Sequence, residues 1–125
     1  MVTSILNRVE KEIKNEAERE MVQDIVLSRL VAVRDSSLCI PFTMLEENRV
    51  SSTAMLMFGM LNVLVDSSKK LVITNRGLAV IFGRVTWLQI YNVLQELKHE
   101  GYISTRVVGI KGKGTLKQAT EITIV

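Results

Sequence analysis

The chain has 125 residues, a formal net charge of +3, 47% hydrophobic residues, one proline and one cysteine. That length fits one compact unit with a helical appendage, and the apolar content excludes disorder over most of it. A single Cys39 excludes an intramolecular disulfide and fits a reducing compartment, while the longest apolar run, 54–65, is too short for a bilayer span.

Residues 3–34 read as helix, with Ile5, Val9, Ile13, Ala17, Met21 and Ile25 recurring every four residues and Leu6, Val22 and Val26 widening the stripe, while the β-branched content of 24–33 also permits a strand. This stripe is expected either to pack on its own chain or to pair with a second copy as a homodimer. Asp35-Ser36-Ser37 breaks the pattern, and Leu38–Leu45, with Pro41 inside it, reads as loop or edge strand. A boundary near Ser51 separates an N-terminal segment (1–50) from a C-terminal unit (51–125).

Ser52 or Thr53 is expected to cap a helix over Ala54–Val65, which is apolar on nearly every side and so buried. Residues 66–70 form a turn, and Leu71-Val72-Ile73 an extended segment. Thr74 caps a short helix ending at Gly83. Thr86, with Gln89 three residues on, forms a capping box for a helix over Trp87–Glu100, which Gly101 stops. Two β-branched runs, 102–110 and 116–125, flank Lys111-Gly112-Lys113-Gly114-Thr115, a hairpin signature. The fold class is α+β, mainly α, and the element order predicts a winged helix-turn-helix with an N-terminal helical extension.

Charge and side-chain chemistry point in one direction. Residues 1–50 carry seven Lys/Arg against nine Asp/Glu, and 51–125 nine against four. A basic C-terminal face suits a nucleic-acid partner. In the helix after Thr86, the apolar stripe is expected to be Trp87, Ile90, Tyr91, Leu94 and Leu97. Gln89, Asn92 and Gln95 are left to face outward, and such amides suit adenine edges in a major groove. Arg84, at the turn, and Thr86, at the helix start, are placed to meet a phosphate. Arg106 and the hairpin-tip Lys111, Lys113 and Lys117 are candidates for the DNA backbone or minor groove. Catalytic, cofactor and metal sites are not expected. His99 has no second ligand at metal spacing, and the Lys-Gly tip lacks the spacing and following helix of a phosphate loop.

The stretch Leu94-x-x-Leu97, Gly101-Tyr102-Ile103, Thr105-Arg106-Val107-Val108 and the basic wing ending in Glu121-Ile122 resembles a known domain. It is the C-terminal winged-helix domain of archaeal origin recognition/cell division control replication initiators, matched over residues 52–125. The resemblance implies origin DNA binding, with the recognition helix in the major groove and the wing in the minor groove. By position it favours Gln89 and Asn92 in the helix and Lys111, Lys113 and Lys117 in the wing. This sequence departs from that family in having lysines without an aromatic in the wing, and no ATP-binding module precedes the domain. The expectation is therefore a cytoplasmic, nucleoid-associated, non-enzymatic protein that binds double-stranded DNA, with no membrane or small-molecule partner. The alternatives are a small homodimeric transcription regulator and a winged helix devoted to protein contacts.

Overall fold

The computed structural model describes residues 2–30, 40–83, 85–109 and 118–125. In place of the single expected helix, the N-terminal segment contains α1 (Val2–Glu12) and α2 (Glu16–Ile25), the latter running into a π-helical turn, Val26–Leu30. The break has a local cause. Asn15 adopts an extended backbone, and its side-chain oxygen accepts a hydrogen bond from the Glu18 amide at 3.0 Å, capping α2. Reorienting the chain at Ile13–Asn15 brings the core-facing sides of α1 and α2 together, and in α2 that side carries Val22 and Val26 rather than Ala17, Met21 and Ile25, which are only partly buried. Ile5, Val9, Ile13, Val22 and Val26 are all buried in one core with residues of the C-terminal unit.

Residues 42–45, expected within a loop or edge strand, instead form most of a short helix, α3 (Phe42–Glu47). Pro41 stands at its N-cap, where a missing amide hydrogen costs nothing, and Asn48 closes it in the left-handed region at φ 50°. Only Met44 of this helix is buried, which is why periodicity gave no helical signal.

The C-terminal unit begins with α4 (Ser52–Leu64), β1 (Lys70–Ile73) and α5 (Asn75–Phe82). Ser51, not Ser52 or Thr53, caps α4. Its hydroxyl accepts from the Ala54 amide and donates to a Glu96 carboxylate oxygen at 3.0 Å. In the turn before β1, one Asp66 oxygen accepts from the amides of Ser68 and Lys70. Thr74 caps α5, and Gly83 ends it at φ 79°.

α6 (Trp87–His99) leaves at 100° to α5 and carries the complete Thr86/Gln89 capping box, while Gly101 (φ 80°) lets the chain turn back. β2 (Ile103–Gly109) and β3 (Gln118–Ile124) follow. They complete a three-stranded antiparallel sheet in the order β1-β3-β2, with β3 in the centre. Ile103, Ile122, Ile124, Leu71 and Ile73 bury one face of this sheet against the helices. Tyr102 packs on Phe58, ring centroids 5.6 Å apart. Desolvation, with the Glu47 and Glu100 carboxylates nearby, raises its phenol above the ordinary 10.0. The molecule is thus mainly helical with one small antiparallel sheet, and among the described residues no single helix is long and apolar enough to cross a membrane.

The N-terminal helices grip α5 at both ends. Arg8 donates from Nε to the Val80 carbonyl (3.1 Å) and from a terminal nitrogen to that of Ile81 (3.2 Å), satisfying carbonyls of the last turn of α5. At the other end Glu18, only 7% exposed, accepts from the Thr74 hydroxyl at 3.2 Å. Between them α2 lies so close to α5 that a Cβ on Gly77 would meet Val22 Cγ2 at 2.7 Å and Ile73 Cγ1 at 2.9 Å.

Gly77→Ala is therefore expected to lower stability by roughly 1–2 kcal/mol, since overpacking outweighs the helix propensity alanine gains. Gly109→Ala, whose Cβ would meet nothing within 4 Å, is the control in the same denaturant titration. Thr74→Val should cost about 1–3 kcal/mol, because it removes the α5 cap and leaves the Glu18 carboxylate buried without its hydroxyl donor. Thr74→Ser should restore most of that loss.

Candidate nucleic-acid interface

α6 is held to the body by Ile90, Val93, Leu94 and Leu97. This corrects the expected stripe. Trp87 and Tyr91 are 58% and 48% exposed, and Val93 takes the buried place. The cause is where the core lies. It meets the side of α6 that carries Ile90, Val93, Leu94 and Leu97, and Trp87 and Tyr91 fall outside that side.

Gln89, Asn92 and Gln95 are all exposed, but they are not equivalent. Gln89 Oε1 accepts from the Thr86 amide at 2.7 Å, and Thr86 Oγ1 accepts from the Gln89 amide at 3.2 Å. The cap thus occupies the carbonyl of Gln89 and the hydroxyl of Thr86, leaving the Gln89 amino group as its remaining donor. Asn92 and Gln95 carry no such restraint.

Arg106 lies on β2, directly opposite Glu121 of β3. Its guanidinium is forked onto that carboxylate, with Nε to Oε1 at 2.9 Å and a terminal nitrogen to Oε2 at 3.3 Å. Lys70 approaches the same carboxylate at 3.9 Å. Arg106 is therefore engaged, although at 69% side-chain exposure its pairing is worth little in water. Arg84, Lys111, Lys113 and Lys117 lie outside the described residues, as does the hairpin tip.

The geometry also brings together residues not singled out above. A cleft of ≈ 350 Å³ runs between α6 and β2, where Tyr91, Lys98 and the expected Gln95 of α6 meet Thr105, Val107 and the expected Arg106 of β2. Asn75, from the first turn of α5, closes one end of it. Arg76, exposed, follows on α5 and faces Trp87 across a second depression shared with Glu18. The Thr74 cap was a legible clue that the residues after it sit at a helix start. Nothing local tied them to α6.

Each acid of the C-terminal unit has a partner, all within the unit except that of Glu100. Asp66 holds its turn, Glu96 binds Ser51, Glu100 pairs with Arg49 at 3.9 Å, and Glu121 binds Arg106 and Lys70. Lys98 and Arg76 form no ion pair with described residues, so Lys98 leaves uncompensated positive charge on the α6–β2 side and Arg76 leaves it beside Trp87. On the opposite flank the depressions beside Trp87 mix charges, with Arg8, Glu12 and Arg76 lining one and Glu18 and Arg76 the other. Among the described residues no group of His, Cys, Asp and Glu is arranged to hold a metal. No known family model, characterised protein or solved structure matches the chain.

Because Gln89 both caps and points outward, its two roles separate by substitution. Gln89→Glu should retain thermal stability, as a carboxylate also accepts the Thr86 amide, whereas Gln89→Ala should lose about 0.5–1 kcal/mol. Thermal unfolding of the two variants side by side checks this.

Proposed function

We propose that this chain binds double-stranded DNA as a winged helix-turn-helix, with α4, α5 and α6 as its helices and β2–β3 as the wing. The observation that carries this reading is the outward, unrestrained face of α6, with Asn92 and Gln95 beside a cation-bearing cleft shared with β2. An α-helix held by one apolar face and exposed on the other fits a major groove. A β-hairpin alongside can follow the backbone at the same time. The α4-β1-α5-α6-β2-β3 order, the sheet order β1-β3-β2 and the 100° turn between α5 and α6 support the fold assignment. The role is one of binding rather than catalysis. The resemblance of residues 52–125 to replication-initiator domains makes an origin-type duplex the first target to try.

A second reading, docking to protein, draws on a specific observation. Trp87, Leu88, Tyr91 and Val107 are large, apolar and exposed. The homodimeric regulator has less support, since Ile5, Val9 and Ile13 of the stripe that would pair two copies are buried within the chain, as are Val22 and Val26.

Titration of a random duplex separates the two readings. DNA binding should weaken at least about tenfold between about 50 and about 200 mM salt, the loss for two neutralised phosphates. Lys98→Ala and Arg76→Ala should each flatten the log–log salt slope by about 0.9. Absence of binding at low salt, or salt-independent binding, would favour protein docking.

A further inference from the structure

We propose that α6 reads A·T pairs, and that it does so in large part through the C5-methyl group of thymine. The inference rests on the DNA-binding reading above and names the class of duplex it selects. Ile90, Val93, Leu94 and Leu97 mark the buried side of α6. At about 100° per residue, the side directly opposite carries Leu88, Asn92, Gln95 and His99. Tyr91 flanks this line toward the cleft, 48% exposed, and Leu88 is 52% exposed.

The chemistry of that line is selective. Asn and Gln amides can donate to N7 and accept from the N6 amino group of adenine, while an apolar side chain matches the thymine methyl, so Leu88 and Tyr91 complement the partner base of the same pair. The line itself carries no arginine, lysine or carboxylate, the side chains that favour G·C. The commonest guanine reader is arginine, and α6 contains none. Its cation on this side, Lys98, lies in the last turn and lines the cleft. Glu96, which would accept from the cytosine amino group, is bound to the Ser51 amide at 2.8 Å and hydroxyl at 3.0 Å. A leucine exposed at the centre of a reading face has no hydrogen bond to make, and a methyl group in the groove gives it a surface to cover.

The test uses the full chain. Duplexes are selected from a random pool, and the enriched sequence is resynthesised with deoxyuridine in place of thymidine, which deletes the methyl and leaves every hydrogen-bonding group unchanged. A·T-rich enrichment is expected, with affinity falling about fourfold for each contacted methyl removed. Leu88→Ala, a change at an exposed helix position that should not disturb folding, should bind the thymidine duplex more weakly and shrink the thymidine-to-deoxyuridine ratio. G·C-rich enrichment overturns the proposal and leaves DNA binding standing, as does a wild-type ratio of one on the enriched sequence. Failure to bind any duplex at low salt overturns both.

Discussion

The close approach of α2 to α5 at Gly77 is the contact on which the rest of the structure depends. With Val22 Cγ2 and Ile73 Cγ1 each under 3 Å from where a side chain would begin, α5 is seated between α2 and the sheet strand that precedes it. Glu18 and Arg8 then hold the two ends of that helix by its cap hydroxyl and its final carbonyls. Because α6 is placed by α5 and by its own buried face, the N-terminal helices act on α6 through α5. They are part of the scaffold, and an interface on α6 inherits its rigidity from them.

The same arrangement divides the surface electrically. The acidic groups of the C-terminal unit are turned into turns, caps and cross-strand pairs, where charge-assisted hydrogen bonds use them locally. What remains on the α6–β2 side is cationic and amide-bearing, whereas the depressions beside Trp87 hold Arg8 and Arg76 together with Glu12 and Glu18. A polyanion laid along the α6–β2 side meets Lys98 in a cleft with no acidic residue among its lining side chains. Exposed apolar groups on the same helix add surface that is costly in water and useful only when covered. Selective bases and a protein partner both have the chemistry to cover it.

Much of the candidate site was legible because its signals are local. The Thr86/Gln89 box, the Thr74 cap and Gly101 act within a few residues, and each stands where the sequence placed it. The Asn15-x-x-Glu18 pattern was equally readable as a helix start, yet the unbroken four-residue apolar recurrence across it masked the break. The engagement of Arg106 was hidden for a different reason. Its partner, Glu121, lies fifteen residues away and becomes a neighbour only through the β2–β3 register.

Taken alone, the amino-acid sequence determined the order of the C-terminal helices and strands, the caps at Thr74 and Thr86, the stops at Gly83 and Gly101, and the excess of basic charge there, while the α4 cap fell one residue earlier, at Ser51. These follow from hydrogen bonds and torsional preferences that span only a turn of chain. Tertiary structure decided which side of each element meets the core, because burial is a property of where neighbouring elements lie rather than of spacing. It turned Trp87 and Tyr91 outward, took Val93 in, brought the core-facing sides of α1 and α2 together, and drew Asn75 and Lys98 into one cleft across more than twenty residues of chain.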